Sequence, residues 1–295
     1  MNTWNYLTDP ALRSLFWPPL VAGLSIALFG GALSIFVVLK RMAFIGQGIS
    51  HAAFGGIGVA YVLGLGGAAS PAGYAGQLGI VFVFCLLAAM QVGFLTSDRA
   101  TRAGRGGTQS DTAIGIVLVA SMALGSLLLH QAERLGRAPT VSWESLLFGS
   151  IVSVTWNDAW ASLLVACVVL GAIIAVRRPL MFWAFDEHAA AGFGVPVQRL
   201  RLMLLILLAL ATVTAMRLAG VVLATAMLVL PAAAAVQFAR DARGAAVLTM
   251  VFAVVGVLAG VVLSFEFDVP TGASIVLTLA TIFGVGWTRA RLSRG

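Results

Sequence analysis

His51 is the residue of this sequence whose type and surroundings most clearly suggest chemistry. It is the only His, Asp, Glu, Lys or Arg between residues 42 and 97. If a membrane helix begins near Met42, a rise of about 1.5 Å per residue places His51 roughly 14 Å deep. Ionisable groups at that depth usually face a bundle interior or a substrate path. Two interpretations stay open: a path residue that contacts a metal ion, or a histidine hydrogen-bonded between helices.

The neighbours of His51 on the same helical face are small or neutral. Gln47 lies one turn before it, and Gly55 and Gly58 lie one and two turns after it. Small residues let a neighbouring helix or an ion approach closely. Imidazole suits Zn, Fe, Ni and Cu, so His51 is a candidate metal ligand on this face.

Motifs for catalysis are missing from the sequence. A GxxxxGK[ST] phosphate-binding loop needs a lysine, and the only lysine, Lys40, is followed by Arg-Met. His51, His130 and His188 do not form an HExxH zinc-protease motif, and no GxSxG nucleophile motif is present. We therefore predict that the chain is not an enzyme and that any ATP hydrolysis takes place on another chain.

Two acidic residues lie close together just before Pro270. The two are Glu266 and Asp268, with Gly272 just beyond the proline. They form either a solvated loop or an acidic rim that collects a cation at the outer mouth of a transport path.

The elements that position these residues are membrane helices. Hydrophobic residues make up 60% of the 295 residues and charged residues only 10%, against about 25% charged in soluble domains. This composition excludes a soluble enzyme and a disordered chain. The net charge of +7 comes from basic residues in small groups between apolar runs, which is typical of helix ends at a membrane rather than of nucleic-acid binding.

Residues 1–295 are predicted to form a single, all-α, polytopic transmembrane domain. Charges and turn residues divide this domain into its spans. Each span needs about 20 mainly apolar residues. We predict about nine spans, at 18–39, 42–63, 78–96, 111–129, 158–176, 202–219, 221–238, 244–265 and 272–288.

The basic residues also predict an orientation. If Lys40 and Arg41 face the cytoplasm, all but four of the 18 basic residues do so too. The four on the outer side are Arg13, Arg134, Arg137 and Arg217. The positive-inside rule then places the N-terminus outside and the C-terminus in the cytoplasm.

Residues 184–195 are too short and too polar to cross the membrane. Asp186 and Glu187 favour a helix by lying at its N-terminal end, and Gly192, Gly194 and Pro196 would end it. We call this the coupling segment, and expect a short cytoplasmic helix along the membrane surface or, alternatively, an interfacial turn.

Six stretches of the sequence resemble, in order, the motifs of permeases in the zinc/manganese/iron ABC importer family. One such match would be weak, whereas six collinear matches are specific. They are RMAFIGQGISHAAFGG at 41–56, DTAIGI at 111–116, LLFGSI at 146–151, DEHAAAGFGV at 186–195, LAGVVLATAMLVLPAAAA at 218–235, and Ser264 with DVPTGAS at 268–274.

The resemblance implies a permease with the type II importer fold of vitamin B12 transporters. It implies a homodimer with two cytosolic ATP-binding cassette subunits and an external solute-binding protein, in a bacterial inner membrane. The family motif ends in a Ser-His pair, which maps the path to Ser50 and His51. Its acidic residue is replaced here by Gln47, an amide that coordinates a divalent ion less strongly. The resemblance places ATPase coupling on residues of 186–194, namely Asp186, Glu187, His188, Ala190, Gly192 and Gly194.

These observations predict an importer subunit that carries a divalent transition metal into the cytoplasm, with zinc before manganese. The metal is cargo, and no permanently bound cofactor is expected; ATP binds the partner subunit. The alternative is a secondary transporter or exporter of a small solute driven by an ion gradient. Such a carrier typically has inverted repeats and intramembrane carboxylates, and the sequence reveals neither.

Overall fold

In a computed structural model, the described residues (10–65, 71–95, 106–137 and 154–292) are almost entirely helical. Long apolar runs form helices because, in lipid, each backbone amide must bond within its own segment. The helices are α1 (Pro10–Leu39), α2 (Ala43–Val62), α3 (Pro71–Leu95), α4 (Gly106–Arg134), α5 (Trp156–Ala175), α6 (Arg177–Phe185), α7 (Glu187–Gly192), α8 (Val197–Phe238), α9 (Ala242–Phe267) and α10 (Thr271–Leu292).

Seven helices in this part of the chain are long and apolar enough to cross a membrane. The 42 residues of α8 count once in that number. Helix α2 is not among the seven, and it carries the polar residues Gln47, Ser50 and His51. The protein is thus a multi-pass membrane protein, while the number of nine spans stays a prediction.

The chain forms two compact units that alternate along the sequence. Unit A comprises Met1–Ala43, Glu144–Val195 and Thr214–Gly295, and unit B comprises Phe44–Trp143 and Pro196–Val213. Within unit A, helix α1 packs along α5 and α9, and α9 packs along α10. Within unit B, α3 packs against α4.

Helix α8 is interrupted at Gly220, where φ is 83° and ψ is 166°. Glycine populates positive φ without the steric cost that a Cβ imposes. The sequence places its division between two spans at 219–221. Further along α8, Pro231 lacks an amide hydrogen, and the next amide, that of Ala232, donates to Ser34 Oγ of α1 at 3.2 Å.

Residues 111–116 lie inside α4, which begins at Gly106, before the start at 111 that the sequence predicts for this span. The LLFGSI stretch at 146–151 lies outside the described residues.

Candidate metal path and coupling segment

The predicted path residues lie on the N-terminal half of α2, in unit B. Ser50 is buried, and its Oγ donates to the carbonyl oxygen of Gly46, at 2.9 Å. Gln47 is exposed and His51 is half-buried. Because Ser50 is buried whereas Gln47 is exposed and His51 half-buried, Gln47 and His51 are the better candidate ligands.

His51 has an unsatisfied ring nitrogen. Its Nδ1 is buried and has no hydrogen-bond partner among the described residues. The ring stacks on Phe54, with centroids 6.1 Å apart and an interplanar angle of 18°. Buried polar atoms in proteins nearly always have a partner. The interpretation of a histidine hydrogen-bonded between helices therefore finds no support at this nitrogen.

The same face of α2 approaches α4 very closely beyond His51. A Cβ added at Gly125 of α4 would lie 2.6 Å from the carbonyl oxygen of Phe54, and one added at Gly58 would lie 2.9 Å from that of Gly125. Real Cβ atoms essentially never make such contacts. Gly58 and Gly125 therefore allow contact between two helix backbones.

This arrangement offers few ligands to a metal ion. Within the described ranges, no group of three or more His, Cys, Asp or Glu side chains is assembled. A single imidazole with a neutral amide one turn away suits brief contact with a passing ion, since tight structural sites use about four ligands. The chemistry available here is transient coordination.

The predicted outer mouth is the turn between α9 and α10, in unit A. Ser264 Oγ donates to the carbonyl oxygen of Val269 at 2.7 Å and lies 2.8 Å from Thr271 Oγ1. Asp268 ends α9 in the left-handed conformation, with φ 52° and ψ 46°. The hydroxyls of this motif therefore hold a tight helical hairpin together.

Glu266 and Asp268 are both exposed beside that turn. Their placement fits either expectation from the sequence, a solvated loop or an acidic rim. Any attraction they exert on a cation acts through water and is screened by salt.

The coupling segment contains a boundary between two short helices. Asp186 ends α6 in an extended conformation and caps α7, where its Oδ1 accepts the amide hydrogen of Ala189 at 2.8 Å. Asp at this position satisfies an amide that the helix itself cannot. Gly194, with φ 79°, follows the end of α7.

Ala190 is fully buried, at 0% exposure. It therefore does not lie on an exposed face of the coupling segment. A bulky residue at 190 would disturb the packing of α7 before it affected a partner. His188, Gly192 and Gly194 are exposed, and Glu187 is partly buried by an ion pair.

The exposed face of this region is aromatic, which the motif comparison did not reveal. Phe193 is 82% exposed and Phe185 is 59% exposed. The ring of Phe193 lies 5.8 Å from that of Phe182. Exposed aromatic side chains of this size are characteristic of surfaces that contact a partner or a membrane.

Lys40 was also missed as a candidate, although it is the only lysine of the chain. Its Nζ lies 2.9 Å from Glu187 Oε2 and 4.3 Å from the centroid of the Trp183 ring. The contact joins the end of α1 to the α6–α7 region across 147 residues of sequence. No local pattern reveals such a pair.

Comparisons with known proteins agree on one family. The profile of the ABC 3 transport family matches residues 14–289. The manganese transport system membrane protein MntC of Halalkalibacterium halodurans is 32% identical over 288 residues, which cover 97% of this chain and 91% of that protein. The manganese import system permease protein ScaB of Streptococcus parasanguinis is 31% identical over 90% of this chain and 86% of that protein.

Solved structures share the architecture. PsaBC from Streptococcus pneumoniae, in complex with Fab, aligns with a TM-score of 0.76 and 29% identity, over 96% of this chain and 93% of that chain. An ABC transporter in an inward-facing conformation aligns with a TM-score of 0.68 and 18% identity, over 96% and 90% of the two chains. The second likeness concerns the fold alone.

Proposed function

This chain belongs to the ABC 3 transport family of metal importer permeases, and from that premise we propose that it carries a divalent transition metal into the cytoplasm of a bacterium. The observation that carries the proposal is His51, whose buried Nδ1 has no partner among the described residues. A permease needs a polar contact inside the membrane that an ion can both reach and leave. One imidazole beside the amide of Gln47 meets that need.

Manganese is the cargo that we propose first. The similar proteins MntC and ScaB are both named for manganese, whereas the imidazole of His51 alone favoured zinc. Oxygen ligands suit manganese and imidazole suits zinc, so the pair of Gln47 and His51 admits both ions. Competition between the two metals in one uptake assay separates these expectations.

The finer architecture that we propose has nine spans and the type II importer fold. Helix α2, with its polar face, and the two parts of α8 on either side of Gly220 account for the spans beyond the seven assigned by composition. The N-terminus lies outside and the C-terminus in the cytoplasm, because that orientation satisfies the positive-inside rule. It places Glu266 and Asp268 at the outer surface and the coupling segment inside.

The proposed assembly contains a second copy of this chain, cytosolic ATP-binding cassette subunits and an external solute-binding protein. The coupling segment would contact the ATPase through its exposed face, formed by His188 and Phe193, rather than through buried Ala190. A cysteine at Phe193 should crosslink to the ATPase. A cysteine that reacts only with external reagents would contradict both the orientation and the coupling role.

Reconstitution of the chain with its ATPase in liposomes tests the proposal. Internal manganese should accumulate only when ATP and the metal-loaded binding protein are both supplied, and zinc should compete less well. Accumulation by the chain alone, driven by an imposed ion gradient without ATPase, would instead favour the secondary transporter. Transport of zinc but not manganese would keep the permease role and reverse the choice of metal.

A further inference from the structure

Lys40 contacts both Trp183 and Glu187, and its side chain is more buried than is usual for a lysine. The Lys40 side chain is only 12% exposed and that of Glu187 is 32% exposed, although lysines are rarely buried unless paired. Nζ lies 2.9 Å from Glu187 Oε2 and 4.3 Å from the Trp183 ring centroid. The ammonium therefore has both an anionic partner and an aromatic face, and its removal would take away both of these contacts.

The position of this contact gives it a consequence for movement. Lys40 directly follows α1, and its amide still bonds to the carbonyl oxygen of Phe36 in that helix. Glu187 is the first residue of α7, and Trp183 is a fully buried residue of α6. A displacement of α6 and α7 would therefore move the end of α1 through the Lys40–Glu187 ion pair and the Lys40–Trp183 cation–π contact. Helix α1 in turn packs along α5 and α9, two other helices of unit A.

We propose that Lys40 is a positioning residue that transmits the movement of the coupling segment to α1. This inference rests on the proposed function. A charged pair shielded from water suits this role because it resists separation more than an exposed pair, whose contribution is often negligible. The remainder of the coupling segment exposes aromatic side chains, and the Lys40–Glu187 pair is the ion pair that joins it to α1 among the described residues.

The experiment compares four single variants and the double variant of Lys40→Met with Glu187→Gln, in liposomes that contain the permease, its ATPase and the metal-loaded binding protein. Lys40→Met keeps an unbranched apolar stem and removes the charge, Glu187→Gln removes the partner charge, and Lys40→Arg keeps a cation that can also stack on Trp183. Arg41→Met is the matched control, since Arg41 is the adjacent cation and is exposed. Manganese uptake and ATP hydrolysis are measured in the same vesicles.

Lys40→Met and Glu187→Gln should each lower the metal imported per ATP by about fivefold or more, the usual scale of coupling between sites. The double variant should lose no more than either single variant, because both remove the same interaction. Lys40→Arg and Arg41→Met should keep the wild-type ratio.

Additive losses, or a normal ratio in vesicles with less assembled complex, would overturn the positioning role, because a merely structural pair lowers the amount of complex and not its coupling. Glu187 is partly exposed, so Glu187→Gln should fold even if Lys40→Met does not. If the wild-type complex imports no metal, the proposed function fails. If the wild-type complex imports metal and the variants keep its ratio of metal to ATP, only the positioning role of Lys40 fails.

Discussion

Two helix crossings in this protein use the same packing device for different ends. In unit B, α2 meets α4 at Gly58 and Gly125; in unit A, α9 meets α10 at Gly260, where a Cβ would lie 2.5 Å from Ile275 Cα. In membranes, small residues at an interface let helix backbones approach and pack. The glycines at both crossings therefore serve helix packing, and they do not by themselves indicate a binding site.

The polar groups beside the two crossings differ. Next to α9 and α10, the Ser264 hydroxyl bonds to Val269 and to Thr271, so the motif residue is satisfied by the turn it holds. Next to α2 and α4, His51 Nδ1 has no partner in the described part of the chain. Sequence motifs point equally to both places, whereas the hydrogen bonds of Ser264 are complete and His51 Nδ1 has none with the described residues.

The largest expected effect follows from the shared packing. Gly125→Leu and Gly260→Leu should each prevent accumulation of folded protein, because the added atoms meet backbone that cannot move aside. Yield and thermal stability in detergent measure this effect. Gly115→Leu in α4 and Gly284→Leu in α10 are matched controls, since a Cβ there meets nothing within 4 Å; equal losses in the controls would remove the packing argument.

The second effect separates the two regions by function. His51→Ala should abolish metal uptake in reconstituted vesicles while the amount of protein in the membrane stays normal, because the residue contributes a contact for the ion rather than a hydrogen bond at Nδ1. Ser264→Ala, purified and assayed in the same way, should keep uptake per folded complex. Normal transport by His51→Ala, or its absence from the membrane, would reject the path assignment.

The third effect is on stability, and here the larger loss is expected for Ser264→Ala rather than for His51→Ala. Ser264→Ala should lower the free energy of unfolding by about 1–3 kcal/mol, because the Val269 carbonyl loses its hydroxyl donor and the Thr271 hydroxyl its partner. His51→Ala should change stability less. Thermal unfolding in one detergent compares the two variants, and a larger loss for His51→Ala would mean that the histidine is held by contacts rather than left for an ion.

The smallest effect concerns the exposed acids of the α9–α10 turn. Glu266→Gln combined with Asp268→Asn should raise the half-saturating concentration of metal-loaded binding protein at low ionic strength and not at high salt, since exposed charges are screened. Asparagine tolerates the left-handed backbone of position 268. Unchanged uptake kinetics at low salt would leave the solvated loop as the only interpretation of these residues.

Local features of the fold could be predicted from the sequence because their causes lie within a few residues. The apolar runs predict helices, and the Asp186-Glu187 pair predicts the start of the short helix that the structure has as α7. The break at Gly220 was expected from a division between two spans, and its positive φ explains why glycine stands there. Membership of the metal importer family was likewise evident from six collinear motifs and is confirmed by the family match.

The faces of these helices could not be predicted in the same way. In a membrane protein the lipid-facing and the buried side of a helix are both apolar, so hydrophobic periodicity carries little information about which side packs. That is why the burial of Ala190 within the coupling segment could not be predicted. It is also why the sequence could not reveal that Gly55 packs against Phe84 of α3 and Gly58 against Gly125 of α4.

The sequence by itself determined a polytopic helical permease of the metal importer family, because composition, caps and motifs are local properties of the chain. Only the tertiary structure decided which polar groups are satisfied and which are not. Ser34 meets Ala232 across 198 residues, Lys40 meets Glu187 across 147, and His51 Nδ1 meets none of the described residues. Partners so distant in sequence leave no periodic or local signal, since they come together only when the helices pack.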